Sequence, residues 1–473
     1  MSGIKLIKKY PGAEKRNKAV YWPLAAIIAM LVTFALTLPL SYDESFTFNE
    51  FTSKDILTSI SNYPVPNNHV FHSILTNITW AIFSFTRSEM AVRLPALLFT
   101  ALSLYFIYTR FFIERLFSVL LFSVFFLLSP NIIEYAFQAR GYSIQIFCGV
   151  ASYFFAADPR VNQYAGFRER INAILLLSVI GMFTSPAYLY TAGAIYLIFL
   201  TINYKEIKKE LVFFITTNIF YGATILLLYS PIIISQGIHQ ITANPYVKPN
   251  EQFSFQKVIT YLGNLVDYLT LPYYIGWLIL ALFIWYSIKQ KRYYNFYFLV
   301  VPLVLMIALK QLPFSRVFLP YGVIILLNAC MAITDAVRVK TAKPVGVFKS
   351  GPAAFVLTGI FCIVSYLYFN NIHQKDDLSK AYHFKEIESP LAEHDKVYTR
   401  HLNTNWDFTE ILKAYLTIKK KSNSVEIEKD FSNYNFNSSI VISTDTIPEW
   451  KVIDSTSDFL GKPIKEFEPV SSK

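Results

Sequence analysis

Metal-binding signals are missing from this chain. Its three cysteines in 473 residues (Cys148, Cys330 and Cys362) all lie inside apolar runs, where they read as small core residues carrying no redox information. The seven histidines form no metal-type spacing with them, and neither a Gly-rich phosphate loop nor a His-Glu-x-x-His run occurs. No internal repeat is evident, which argues against a transporter built from inverted repeats. Charge is almost absent from the middle of the apolar runs, whereas a transport pathway places ionisable groups near midmembrane. The net charge of +11 would point to nucleic acid only if it gathered on one folded face, and it does not.

What the chain has instead is hydrophobic length. It is 54% hydrophobic and 17% aromatic, with mean hydropathy +0.38, and its apolar residues come in unbroken runs rather than short periodic groups. That is the pattern of an α-helical polytopic membrane protein. The first run, Val20 to Leu40, covers 21 residues, enough to cross a bilayer. It follows a basic leader, residues 1–19, with six Lys or Arg against one Glu. The leader is expected in the cytoplasm, and the run reads as an uncleaved anchor. Asp43 and Glu44 then emerge on the far side, in a first outer loop over 41–90. Residues 44–60 read as a helix lying in the interface. Residues 69–86 are apolar, but His69, His72, Ser73, Thr76 and Thr79 form a polar stripe at helical spacing. An in-plane or re-entrant helix suits that stripe better than a lipid-exposed crossing.

Further spans are expected near 91–109, 116–130, 141–157, 171–184, 187–203, 211–234, 273–288, 293–309, 316–334 and 352–370. With the first they make eleven, in a transmembrane domain over 20–370. The inner side, in segments 1–19, 110–115, 158–170, 204–210, 289–292 and 338–349, then holds 21 basic residues against seven acidic, Asp335 at a span end included. The outer side balances at eight and eight, with Arg93 and Arg316 at span ends included. Letting 69–86 cross would put most of the basic loops outside. The basic excess is thus a topology signal and a contact with anionic headgroups of membrane lipids. From Asn371 the composition turns polar. Lys396–Thr399, Ser424–Ile427 and Ser439–Ser443 read as short strands and Asn405–Lys420 as a helix. Residues 371–473 are therefore expected to form a small extracytoplasmic α/β domain.

The outer side gathers the chemistry: the carboxylates Asp43 and Glu44, the imidazoles His69 and His72, and the cations Arg140, Lys310 and Arg316. A carboxylate at the interface can act as general base toward a hydroxyl or amine. An arginine at the lipid boundary makes a bidentate clamp for phosphate, although one that starts a span also simply reaches back to headgroups. His69 and His72, at i and i+3, suit either metal ligation or polar packing. Glu134 reads as a loop acid, and the aromatics of loop 235–272 (Tyr246, Phe253, Phe255, Tyr261, Tyr268) as an interface belt. Base and clamps together suit displacement of a phosphate leaving group carried by a membrane lipid.

Several stretches then fall in a telling order: Tyr42-Asp43-Glu44 after the first span, Pro66-Asn67-Asn68-His69, Val92-Arg93-Leu94-Pro95-Ala96-Leu97, Gln138-Ala139-Arg140-Gly141-Tyr142-Ser143, and Arg316-Val317-Phe318-Leu319-Pro320. On these the chain resembles the GT-C superfamily of polyprenyl-phosphate-sugar-dependent glycosyltransferases, in particular the branch with protein O-mannosyltransferases and lipid A aminoarabinose transferases. The likeness covers about residues 20–200 well and thins to hydropathy up to 335. It implies an inverting transfer from a polyprenyl-phosphate sugar at the outer face. Between a bacterial cytoplasmic membrane and that of the endoplasmic reticulum, the compact loops and the lack of an evident retention signal favour the bacterial one. Asp43 would be the catalytic base, with Glu44 supporting it or orienting the acceptor. Arg140, Arg316 and Lys310 would hold the donor phosphate, and Tyr42, Asn68, His69, His72 and Tyr142 would line the cavity. Related enzymes often carry a His at the turn that here reads Thr184-Ser185-Pro186-Ala187-Tyr188, so neither a metal nor another cofactor is expected. The acceptor, whether lipid, glycan or protein, stays open. Two other readings remain: a transporter or flippase of a lipid-linked sugar, and an inactive scaffold whose tail binds a partner.

Overall fold

The computed structural model describes residues 18–64, 68–112, 115–242, 254–271, 274–340, 351–375, 396–399, 406–419, 424–427, 439–443, 450–457 and 463–469. Most of the leader, Pro66 and Asn67 of the second motif, and Tyr246 and Phe253 of the long loop lie outside the described residues.

Helix is the form that apolar sequence takes in lipid, where every backbone polar group needs an internal partner. The first run forms α1 (Tyr21–Thr37), then turns through 76° into α2 (Tyr42–Thr47) and a π-helical turn over Phe48–Thr52. The break has a local cause. Pro39 lacks an N–H and pushes Leu38 into extended backbone, at φ −87° and ψ 133°. Ser41 restarts the helix through a capping box. Its hydroxyl accepts from the Glu44 N–H, and the Glu44 carboxylate accepts from the Ser41 N–H at 2.9 Å.

Two helices complete the first outer loop, α3 (Ile56–Ser61) and α4 (Val70–Phe83). The stripe on α4 is buried against the loop, not presented to lipid: His72, Ser73, Thr76 and Asn77 all face inward. Thr76 meets Thr52 at 2.8 Å, and Asn77 Nδ2 donates to the carbonyls of Phe51 and Thr52.

The bundle continues with α5 (Met90–Phe106), α6 (Leu116–Leu127), α7 (Pro130–Phe137), α8 (Tyr142–Ala157), α9 (Phe167–Thr184), α10 (Leu189–Lys209) and α11 (Leu211–Gln236). Then come the one-turn α12 (His239–Thr242), α13 (Phe255–Leu269), α14 (Tyr274–Lys289), α15 (Tyr297–Leu309), α16 (Leu319–Lys340) and α17 (Gly351–Lys375). Sharp bends also separate α6 from α7 (87°) and α13 from α14 (91°). Among the described residues, four helices are long and apolar enough to cross a membrane, or up to seven spans if each bent pair is one. Shorter apolar helices occupy Val70–Thr86, Tyr142–Ala157, Tyr293–Leu309 and Ala353–Tyr368. The α16 segment is the axis, with 94% of its apolar window buried against 6% for α11. The outward Val212 and Ile234 of α11 are the kind of surface that lipid covers.

Beyond α17 lie β1 (Lys396–Thr399), α18 (Trp406–Ile418), β2 (Ser424–Ile427), β3 (Ser439–Ser443), β4 (Trp450–Ser457) and β5 (Pro463–Pro469). The five strands form one sheet in the order β2-β1-β3-β5-β4, parallel across β2-β1-β3 and antiparallel across β3-β5-β4. The last two strands lie beyond those the sequence suggested. Helix α18 docks on α2 and its π-turn. Ala414 and Ile418 share an apolar cluster with Leu40, Phe48, Val92 and Ala139. At its rim, Asn49 Nδ2 donates to the Glu410 carbonyl and carboxylate, both at 2.8 Å, and Lys419 pairs with Glu89 at 3.5 Å. Ala414 is fully enclosed, so Ala414→Arg has no room and forces a charge into the seam. It should release the tail to limited proteolysis in detergent while the bundle stays intact. A tail as protease-resistant as wild type would mean that this docking is not held in solution.

Candidate active site

The two adjacent carboxylates have opposite fates. Glu44 is fully buried, and each oxygen accepts two hydrogen bonds. Oε1 takes Arg93 Nε at 2.8 Å and the Ala139 N–H at 2.7 Å. Oε2 takes Arg93 Nη2 at 2.8 Å and the Ser41 N–H at 2.9 Å. Burial opposes its charge, but Arg93 and the backbone donors outweigh that, and its pKa lies below the ordinary value. Arg93 spends its remaining donors on the carbonyls of Ala35, Leu38 and Pro39, at 2.6–3.1 Å. These are the carbonyls that the break after α1 leaves without helical partners. No lone pair of Glu44 is left for a substrate.

Asp43 sits one residue earlier and keeps 26% of its side chain open. Its Oδ2 accepts from Arg316 Nη1 at 3.0 Å and lies 3.6 Å from Arg140 Nη2. Arg140 also donates to the Asp43 carbonyl at 3.3 Å. Arg140 is almost wholly enclosed, and the Nε atoms of both arginines have no hydrogen-bond partner among the described residues. Since Glu44 is neutralised by Arg93, two guanidiniums here face one carboxylate. The site carries a spare positive charge and unused N–H groups, which suits an anion.

Around this centre lies a ring of polar aromatics and imidazoles. The Tyr142 ring stands 4.8 Å from His69 and 4.7 Å from Tyr135, and the Arg140 guanidinium is 5.8 Å from it. Burial and the field of Arg140 hold His69 well below its ordinary pKa and His72 down to about 3. Both are therefore neutral imidazoles at physiological pH. Among the described residues, His69 Nδ1 and both nitrogens of His72 lack a partner, and no group of three His, Cys, Asp or Glu could hold a metal. Gly141 makes this packing possible. A β-carbon there would overlap Thr184 and lie 2.7 Å from His69 Nδ1. The turn at Thr184 thus lies against the site.

The remaining expected residues divide. Asn68 is buried but committed: its amide donates to the carbonyls of Ser59 and Asn62, and its oxygen accepts from Ser73. Tyr42 is half-buried, with its ring 6.2 Å from Phe46. Lys310 is exposed at the end of α15, in the left-handed conformation (φ 50°), and makes no ion pair with the cluster. Three residues near the centre were not foreseen as site residues. Arg93 appeared only inside a motif. Glu134, which read as a plain loop acid, is half-buried beside the cluster, where desolvation raises its pKa to about 7, with Gln138 Nε2 donating to it at 2.7 Å. Tyr268, read as interface belt, lies beside Tyr135 and Glu134.

No family model matches this chain, and no curated protein matches it. Solved structures do. ArnT from Cupriavidus metallidurans in the apo state matches with TM-score 0.56 and 10% identity, over 94% of this chain and 97% of that one. ArnT from the same organism bound to undecaprenyl phosphate matches with TM-score 0.54 and 11% identity, over 96% and 98%. At 10–11% identity this likeness is one of fold, and it covers nearly the whole of both chains.

Two predictions follow from this geometry. Glu44→Gln or Arg93→Ala leaves a buried partner unpaired and should cost about 3–5 kcal/mol, read as an earlier thermal unfolding midpoint. Asp43→Asn, at the open side, should barely move it, and equal losses would contradict the division of roles. Glu134 holds its proton in the folded protein up to about pH 7, against an ordinary value of 4.5. Its contribution to stability is therefore full below 4.5 and lost as pH rises through 7. The midpoint should fall as pH rises from 4.5 to about 7 and level off above that, and fall less in Glu134→Gln. An identical pH profile for both proteins would rule out this acid as the cause.

Proposed function

We propose, from the GT-C fold as premise, that this protein is an inverting glycosyltransferase that takes its sugar from a polyprenyl-phosphate donor. The observation that carries the reading is Asp43 held between Arg316 and Arg140, one carboxylate against two cations at the outer end of the bundle. The donor is a phosphodiester with one negative charge, which would match the spare cation. One of the two similar ArnT structures contains undecaprenyl phosphate, which is the product form of such a donor.

The step balances simply. The acceptor oxygen or nitrogen forms a bond to the anomeric carbon as the bond from that carbon to the phosphate oxygen breaks. The acceptor proton passes to Asp43, and the phosphate leaves as polyprenyl phosphate with added negative charge. Arg140 and Arg316 are aimed where that charge develops. Both arginines contact the Asp43 carboxylate, so a phosphate that takes up their N–H groups competes with it for the same donors and leaves the carboxylate to accept the acceptor proton. Glu44 and Arg93 hold the helix that presents Asp43, and His69 and His72 offer neutral hydrogen-bonding edges to the sugar or acceptor. A chamber of about 320 Å³ lined by Leu265, Val266, Trp277, Phe298, Phe318 and Tyr321 begins two residues beyond Arg316. Its apolar wall suits the first isoprene units of the donor chain.

In this reading the chain crosses the bacterial cytoplasmic membrane eleven times, with its leader inside. The tail sheet and α18 form an extracytoplasmic α/β domain, and the acceptor is a lipid, glycan or protein on that side. The test is transfer from radiolabelled polyprenyl-phosphate sugars to total membrane extract by the purified protein. Asp43→Asn should abolish transfer and keep donor binding. Arg140→Ala or Arg316→Ala should weaken donor binding about 10- to 100-fold, the worth of a charge-assisted hydrogen bond. Turnover by Asp43→Asn would remove Asp43 as the base, and donor bound but never consumed by wild type would favour a transporter.

A further inference from the structure

A second charged cavity lies at the other end of the bundle. It has a volume of about 270 Å³ and is lined by Arg115, Arg160, Arg292, Asp158, Asp335 and Tyr286, among others. Three of the segments expected on the inner side, 110–115, 158–170 and 289–292, converge on it. Arg316 and Asp335 bracket the axis helix α16, 19 residues apart, which is about 28 Å of helix rise. That is close to the roughly 30 Å thickness of a bilayer core. Between the ends α16 is buried along its length, so the two cavities are separate sites.

The charges in this cavity do not cancel. Asp335 is committed to Arg115 at 3.3 Å and accepts from the Tyr286 hydroxyl at 3.1 Å. Asp158 is committed to the Arg160 guanidinium and backbone N–H. Arg292 is left with no carboxylate in ion-pair range among the described residues, and its guanidinium carbon stands 6.0 Å from the Tyr286 ring. A part-buried guanidinium over an aromatic wall, flanked by two more arginines, is an incomplete ion pair waiting for an anion. The volume far exceeds one water, whose share of the liquid is about 30 Å³. Basic pockets between helices on the inner side are where phosphate headgroups bind.

We propose that this cavity is a phosphate-oxyanion site at the inner membrane end, with Arg292 as its principal cation. The phosphate comes from an anionic phospholipid headgroup or from free phosphate in the cytoplasm. The test uses the full chain, purified and reconstituted in nanodiscs of phosphatidylcholine with or without phosphatidylglycerol. Wild type released into the gas phase for native mass spectrometry should retain a phosphatidylglycerol that Arg292→Gln retains about tenfold less. Transfer by the outer site should be unchanged, which separates this proposal from the transferase reading. Inorganic phosphate titrated in phosphatidylcholine alone distinguishes the sources. A thermal shift in wild type that Arg292→Gln lacks, without retained lipid, assigns the site to free phosphate. Arg292→Lys keeps the charge, and partial retention by it would support the site if the Gln variant folds poorly. Equal lipid retention by wild type and Arg292→Gln, with no phosphate-dependent shift in either, overturns the proposal.

Discussion

The buried pair Glu44–Arg93 is the constraint on which the outer end of this molecule depends. A proline two residues before a helix start breaks α1 and strands several carbonyls in a region with little water. Arg93 meets those carbonyls with one side of its guanidinium and Glu44 with the other. Glu44 closes the capping box of α2 and also accepts from Ala139 on the loop before α8. One ion pair therefore ties the end of the first run, the start of the next helix, α5 and the Arg140 loop into a single piece. A pair of this kind adds little net stability over an apolar packing of equal volume, because desolvation offsets the attraction. What it supplies is position, since it holds five backbone groups from three separate segments at once.

That position gives the neighbouring residue its chemistry. With Glu44 neutralised, Asp43 projects from a fixed helical turn toward two arginines that come from 97 and 273 residues away. The excess of one cation leaves the site electrostatically incomplete. In the proposed transfer, an anion that completes it also competes with Asp43 for the guanidiniums, so donor binding and the freeing of the carboxylate run through the same atoms. The cavity at Arg292 repeats the imbalance, but both carboxylates that line it are committed to arginines among the described residues. In the two proposals the ends thus share an anion and differ in whether a carboxylate stands ready to take a proton.

How much of this could be read in advance depends on the range of the signal. Hydropathy marked the helices, because lipid imposes one solution on an apolar backbone. The stripe from His72 to Thr76 correctly marked a protein-facing side of α4. Ser41-Tyr42-Asp43-Glu44 also carried a legible local signal, the Ser-x-x-Glu spacing of a capping box, which assigns Glu44 to structure; it was masked by the attraction of two adjacent acids. The partners were another matter. Nothing near Arg93 says that it will meet Glu44, and Glu134 looks like any loop acid until folding removes its water. Tyr268 belongs to a loop whose aromatics suit an interface, and only the bend between α13 and α14 turns one of them inward. Lys310 was grouped with Arg140 and Arg316 by its expected side of the membrane alone, and it stands exposed at a left-handed helix end, without an ion pair to Asp43.

The docking of α18 on α2 extends the same logic to the tail. The apolar seam contains Leu40 and Phe48 on either side of Asp43, and Ala139 beside Arg140. The tail thus packs on the back of the segments whose front faces form the site. Packing there resists backbone motions that would separate Asp43 from Arg140, although neither residue is in the seam. In the proposed transfer, a tail with no catalytic signature of its own would thus contribute by supporting the pairing of one carboxylate with two arginines.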